Sequence, residues 1–459
     1  FTLQAKDTEQ LGTMSVGRLL AKLSVPAITA QLINMLYNMV DRMYIGHMEG
    51  TGKLALTGMG VCMPLILVIS AFAALVSMGS ASRASIALGK GDINTAERTL
   101  GNSTMLLTII AITLTALMLA FAEPLLMAFG ASENTIGYAL DYMRIYALGT
   151  LFVQLTLGLN AFITAQGFSR ESMLTVVIGA VINIALDPLF IFTFGMGVKG
   201  AALATIISQC VSMIWILRFL TGKRTTLRIR RENLKIDWKI VGPSVALGLA
   251  PFIMQSTESL IAVCFNTSLL KYGDDLAVAA MTILTSVMQL AMLPLSGFTQ
   301  GAQPIVSYNY GARNADRVRK AFKLLLICCV TYSFALWAAV ELVPQVFVKI
   351  FNSEPDLIEF ASRALRIYMA MGLILGVQIA CQQTFIALGN AKCSLFLAFL
   401  RKIILLIPLI YILPSFMADK TTAVFLAEPV ADLLAVTTTA ILFTVQFRRA
   451  MSQLDKPAA

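Results

Sequence analysis

Four oxygen-bearing side chains stand in otherwise apolar sequence: Asp41 in the stretch 19–45, Asn183 and Asp187 in 172–194, and Thr205 in 198–220. Asn183 and Asp187 are four residues apart, so on a helix they share a face. Asp41 ends a row of Gln31, Asn34, Asn38 and Asp41, whose spacing of three or four again marks one helical face. At about 1.5 Å of rise per residue, Asp41 lies about five residues inside the outer end of its stretch, and Asp187 and Thr205 about seven, a common depth of roughly 7 to 11 Å. Two carboxylates in one low-dielectric pocket cannot both stay charged without a cation. A proton or a Na⁺ ion is therefore expected among Asp41, Asn183, Asp187 and Thr205. The competing structural reading pairs Asp41 with its neighbour Arg42 and lets Asp187 satisfy backbone groups freed by Pro188. Adjacent helix residues point apart, however, and the matching depths would then be accidental.

A second set of polar side chains lies near the middle of the apolar stretches. Asn34, Tyr37, Asn38, Asn160, Gln255 and Glu258 are the candidates for contact with a central ligand. The 23 methionines add pliable, polarizable surface. Glu258 and Glu428 are further intramembrane acids that either face such a ligand or form a second ion site. Other chemistry is missing. The sequence lacks GxxxxGK[ST], HExxH and GxSxG, its seven cysteines form no CxxC, and His47 is its one histidine. Phosphate-loop ATP hydrolysis, a His-rich metal site and an enzyme active site are not expected, and the energy source must be an ion gradient. No cofactor beyond H⁺ or Na⁺ is implied.

The elements that position these residues are membrane spans. The chain is 58% hydrophobic and 13% charged over 459 residues, which defines an all-α integral membrane protein. Apolar runs long enough to cross a bilayer fall near 19–45, 56–78, 100–122, 138–164, 172–194 and 198–220. After a polar linker, six more fall near 243–270, 277–299, 322–348, 364–388, 393–416 and 421–447. Residues 1–221 make a first lobe, 222–242 a basic linker and 243–459 a second lobe. With the amino terminus inside, 26 of the 35 Lys and Arg fall on the cytoplasmic side, counting Arg401 and Lys402 among them. Both termini are then cytoplasmic, and the net charge of +10 faces anionic lipid, with no nucleic-acid partner. Residues 11–22 are amphipathic and are expected on the inner membrane surface, while Pro26 and Pro188 offer places to bend.

The chain is also written twice. Shifting residues 54–200 forward by 222 lays Gly79 on Gly301, Ser85 on Ser307, Gly89 on Gly311, and Arg144-Ile145-Tyr146 on Arg366-Ile367-Tyr368. Six spans per copy is an even number, so both copies enter the membrane in the same direction and their pseudo-two-fold axis runs along its normal. Asn183, Asp187 and Thr205 fall on Leu405, Leu409 and Ala427, so ion binding is expected in the first copy. A duplication of this kind suits a secondary transporter whose halves close around a central site.

The stretches LYNMVDRMYIGHM (36–48), LALTGMGVCMP (54–64), GAVINIALDPLFIFTFGMGVKGAALAT (179–205) and APFIMQSTESL (250–260), with the pair GSASRASIALGKGD (79–92) and GAQPIVSYNYGARN (301–314), carry a resemblance over essentially the whole chain. The sequence resembles the MATE multidrug and toxin extrusion family, in its MepA-like bacterial branch. The resemblance implies two six-helix lobes forming a V, alternating access, and efflux of amphiphilic cationic drugs and dyes against inward H⁺ or Na⁺. Acids matching Asp41 and Asp187, with partners matching Asn183 and Thr205, form the cation site in relatives, and residues matching Asn34, Tyr37 and Asn160 lie near bound drug. Glu258 matches in part an acid of a second-lobe pair used by another branch. A monomer in the bacterial inner membrane, in contact with lipid, is expected. The alternative is a lipid-linked precursor flippase of the same superfamily, which would want a basic cavity.

Overall fold

The computed structural model describes residues 5–457. A short α1 (Ala5–Thr13) precedes the first copy, which comprises α2 (Val16–Gly46), α3 (Gly52–Gly89), α4 (Ile93–Ala128), α5 (Ile136–Leu148), α6 (Thr150–Ala165), α7 (Ser169–Pro188) and α8 (Val198–Thr221). The second comprises α9 (Trp238–Tyr272), α10 (Asp275–Gly311), α11 (Ala315–Leu342), the short α12 (Pro344–Lys349), α13 (Pro355–Tyr368), α14 (Leu375–Ala387), α15 (Ala391–Phe399), α16 (Ile407–Phe416) and α17 (Lys420–Asp455). Among the described residues, 10 helical spans are long and apolar enough to cross a bilayer alone, and two bent pairs complete twelve.

The fourth and tenth spans are bent pairs. α5 and α6 meet at 58°, α13 and α14 at 48°. At the first break Gly149 lets Ile206 of α8 lie against bare backbone: a Cβ there would stand 2.3 Å from Ile206 Cγ2. At the second, the Ala370 carbonyl freed by the break accepts a hydrogen bond from Trp337 Nε1 at 3.0 Å, as unpaired backbone in a membrane requires. The two prolines behave differently from simple hinges. Pro26 sits inside an unbroken α2, whereas Pro188 leads into a π-helical turn, Leu189–Thr193. A second π-helical turn, Leu400–Leu406, joins α15 to α16.

The lobes interlock. Val16, Leu19, Leu20 and Leu23, at the start of α2, join a buried apolar cluster with Ile305 of α10 and Val318 and Leu325 of α11, while Ile45 at the other end belongs to the first lobe's core. α9 does the reverse, its start pressed on α3. A Cβ on Gly248 would fall 1.8 Å from the Leu75 carbonyl oxygen, and one on Gly79 2.1 Å from that of Ser244. α3 and α10 also meet end to end: a Cβ on Gly89 would reach 1.9 Å from the Tyr308 oxygen and one on Gly311 2.0 Å from the Ile86 oxygen. Repeat mates thus seal a seam at the end of the bundle that carries the linker.

The amino-terminal segment and the linker are both pinned at this end. Residues 11–22 are amphipathic, with Arg18 and Lys22 exposed and Leu11, Val16, Leu19 and Leu20 buried. α1 and the start of α2 tuck under the lobes, with Leu11 fully buried, because an apolar groove of the second lobe covers the leucines better than an interface would. The Leu11 carbonyl accepts from Asn309 Nδ2 at 2.8 Å and Arg317 Nη2 at 2.9 Å, and Thr8 Oγ1 donates to the Gln166 carbonyl at 3.0 Å. The basic linker is tied to the first lobe as well. Gln166 Oε1 accepts from Thr225 Oγ1 and from the Thr226 and Leu227 amides at 2.8–3.0 Å. Arg230 pairs with Glu97 at 2.6 Å and Asp237 with Arg98 at 2.9 Å, and α9 already begins at Trp238.

Candidate functional site

Asp41, Asn183, Asp187 and Thr205 come together from α2, α7 and α8. They are 4%, 0%, 0% and 9% exposed, buried because the faces that carry them turn into the first lobe. Asn183 Nδ2 donates to Thr205 Oγ1 at 3.4 Å, and that hydroxyl donates to the Ala201 carbonyl at 3.0 Å. The Asp41 and Asp187 carboxyls lie close enough to act on each other electrostatically. Asp41 Oδ1, both Asp187 oxygens and Asn183 Oδ1 are buried without a hydrogen-bond partner. Arg42 is exposed and forms no ion pair with Asp41 among the described residues, so neighbour pairing does not explain the acid. Buried acceptors without donors are costly. An arrangement of this kind can hold a proton between the carboxyls or a small monovalent cation. No three metal-ligating His, Cys, Asp or Glu side chains converge among the described residues, and the one-carboxylate-pair donor set suits a single charge.

Tyrosines surround this pocket. Tyr37, four residues before Asp41, stands in the field of both acids, and Tyr142 stands near Asp41 and Thr205. Tyr142 stacks on Tyr146 at 6.0 Å between ring centres. Sequence reasoning missed Tyr142 and Tyr146; their i, i+4 spacing in an apolar helix was the available signal.

Toward the middle of the bundle from Tyr37 lies a cavity of about 410 Å³. Asn34, Tyr37 and Asn160 line it from the first lobe, and Gln255, with Gln300 and Gln303 of α10, from the second. Asn38 is not among its lining residues; its Nδ2 donates to the Asn34 carbonyl at 2.8 Å. Glu258 is not among them either. It pairs with Lys402 Nζ at 2.6 Å, one turn beyond Gln255. An acid-lined cavity was expected, yet none of the described lining residues is Asp, Glu, Lys, Arg or His. Asp41 sits one helical turn beyond Tyr37 and Glu258 one beyond Gln255, while Asp187 lies about two turns beyond Ala180 on α7.

The second lobe has its own charge cluster on α9, α17 and the π-helical turn, which occupy the same places in their repeat as α2, α8 and α7 in the first; Lys402, Glu428 and Asp432 are buried, whereas Glu258 on α9 is exposed. Arg401 reaches Asp432 at 2.8 Å and Glu428 at 3.3 Å. Arg401 and Lys402 are therefore not end-of-span residues on the inner surface, as the charge count assumed. Three acids hold them inside the lobe.

Twelve crossings from a parallel duplication, interlocked around a polar cavity, define a polytopic membrane transporter. The MatE family model matches residues 26–189 and again 251–412. Multidrug export protein MepA of Staphylococcus haemolyticus (strain JCSC1435) is 24% identical over 425 residues, 92% of this chain and 93% of its own. The FAD transporter of Shewanella oneidensis is 25% identical over 438 residues, 94% of each chain. The structure of the MATE multidrug transporter DinF-BH, a ligand complex, is similar with a TM-score of 0.87 at 32% identity, over 94% of this chain and 96% of that one. The chain belongs to the MatE family, whose members are transporters and not enzymes.

Proposed function

We propose that this protein is a proton-coupled multidrug antiporter of the bacterial inner membrane that works as a single chain with both termini cytoplasmic. In this reading the seam at the linker end is the cytoplasmic gate, and the cavity faces outward. Amphiphilic drugs and dyes, cationic ones included, occupy the cavity, and a proton occupies the pair Asp41–Asp187, with Asn183 and Thr205 beside the carboxyls. Coupling requires only that proton and drug favour different lobe arrangements.

The observation that carries the reading is the set of donorless, buried oxygens on Asp41, Asp187 and Asn183. Two neighbouring buried carboxyls can be neutralised together by one shared proton, which supports a proton at this pair. The names of the relatives, a multidrug export protein and a MATE multidrug transporter in complex with a ligand, support small organic substrates. A flippase for lipid-linked precursors would need basic groups around a diphosphate, and none of the described cavity residues supplies one.

The test is dye flux in proteoliposomes under separately imposed H⁺ and Na⁺ gradients. Ethidium flux driven by the H⁺ gradient is expected, with Asp187→Asn reducing it at least a hundredfold. Flux driven by Na⁺ alone would replace the coupling ion, and unaltered flux in Asp187→Asn would remove the pair from the mechanism.

A further inference from the structure

We propose that the central cavity selects its ligand by hydrogen bonding rather than by charge, and that it takes neutral planar heteroaromatics bearing several hydrogen-bonding groups while rejecting their phosphorylated forms. The proposal rests on the reading of this cavity as the transport site. Its wall carries amides where an ion-selective wall would carry charges: Asn34, Asn160, Gln209, Gln255, Gln300 and Gln303. Each amide offers a carbonyl acceptor and two N–H donors, the complement of the alternating C=O and N–H edge of a fused nitrogen heterocycle. Two of the acceptors, Asn160 Oδ1 and Gln209 Oε1, are without a hydrogen-bond partner. Hydroxyls of Thr156, Ser208 and Ser212 extend the polar surface.

Flat apolar contact comes from Tyr37, Met78 and Met173, a ring face and two polarizable thioethers suited to stacking on a planar ring. The volume of about 410 Å³ lies within the usual range for small-molecule sites. Because Gln255, Gln300 and Gln303 belong to the second lobe and Gln31, Asn34, Asn160 and Gln209 to the first, a ligand read by both sets bridges the two lobes.

Phosphate is the discriminating group. A dianion moved into a wall with no guanidinium or ammonium loses its hydration without a compensating partner. Arg83 lies between the lining residues Ala81 and Ser85 on α3 but is not itself among them. The Shewanella relative bears the name FAD transporter; the wall seen here fits the flavin ring and its hydroxylated tail, not the diphosphate.

The experiment is equilibrium binding to the purified full chain in detergent, followed by quenching of flavin fluorescence, with riboflavin, FMN, FAD and, by its own fluorescence, ethidium. Riboflavin is expected to bind, with FMN and FAD at least tenfold weaker. Gln255→Leu and Gln300→Leu should each weaken riboflavin about tenfold, the loss of one buried hydrogen bond or two. Gln255→Glu keeps the side-chain size, so a folded variant should move preference from riboflavin toward ethidium. Binding of ethidium alone, FMN or FAD binding as tightly as riboflavin, or no flavin binding at all overturns the proposal. The measurement uses no gradient, so its failure leaves the coupling role of Asp41 and Asp187 standing, and loss of coupled flux leaves the binding result standing.

Discussion

Asp187 and Arg401 show two ways of keeping charge inside a membrane. Asp187 is fully buried with neither oxygen bonded, whereas Arg401 is resident counter-charge for Asp432 and Glu428. Arg401→Gln strands two buried acids, and removing one partner of such a group typically costs about 3–5 kcal/mol. A clear fall in melting temperature in detergent is expected, against little change for Arg363→Gln, whose guanidinium is exposed. A smaller effect belongs to Asp92, which caps α4 by accepting from the Thr95 amide at 3.0 Å and from its hydroxyl at 2.6 Å. These bonds from Thr95 hold the Asp92 carboxyl below the usual carboxylate range. Its stabilising contribution is present above the ordinary carboxylate pKa and is lost as pH falls through the depressed one. Asp92→Ala should therefore lower the melting temperature at neutral pH, by the equivalent of about 1 kcal/mol for a cap, and the difference should fade in acid. Asp41, Asn183, Asp187 and Thr205 were legible in the sequence because a polar atom in an apolar run has to be accounted for. Gln209, Gln300, Gln303, Tyr142 and Tyr146 were not, because amides and tyrosines in helices read equally well as packing. Arg401 and Lys402 were misplaced for a related reason: charge next to an apolar run looks like its end, and only the partners Asp432, Glu428 and Glu258, distant in sequence, reveal otherwise.

At the scale of elements, α3, α9 and α10 meet through backbone rather than side chains. Gly89 and Gly248 leave no room for a Cβ, with carbonyl oxygens at 1.9 and 1.8 Å from where it would stand. Gly89→Ala and Gly248→Ala are expected to hold the linker end open. Spin labels on the ends of α3 and α10 should report a longer distance, and ethidium flux should fall at least tenfold. Unchanged distances in both variants would show that the seam tolerates the methyl group. The number and placing of the spans followed from runs of apolar residues, since a bilayer fixes how long such a run must be, but not the helix lengths: α3 covers Gly52–Gly89 where 56–78 was expected, and α10 Asp275–Gly311 where 277–299 was. The bends between α5 and α6 and between α13 and α14 did not, because Gly149 acts through its contact with Ile206, 57 positions away in the chain. The π-helical turns were equally hidden. Pro188 announces one of them, and nothing comparable lies within Leu400–Leu406.

For the whole molecule, the repeat at 222 made the architecture readable before any helix was placed, down to paired glycines that turn out to face each other's helices across one seam. It could not show that the beginnings of α2 and α9 cross to the opposite lobe, since an apolar stripe such as Leu19, Leu20 and Leu23 specifies burial and not the partner. Crossing matters for motion: neither lobe can rock without dragging the first half of a helix from the other. The seam has an electrical consequence as well. In the outward-facing reading, water in the open half holds that half near the external potential, so most of the membrane voltage falls across the short stretch where Gly79, Gly89, Gly248 and Gly311 bring backbones into contact. A proton at Asp41 and Asp187 sits outside that stretch and arrives almost free of the field. The voltage, worth about 2.3 kcal/mol per charge at 100 mV, then acts on the step that carries the loaded site past the seam, making gate movement, rather than ion binding, the part of the cycle the membrane potential drives.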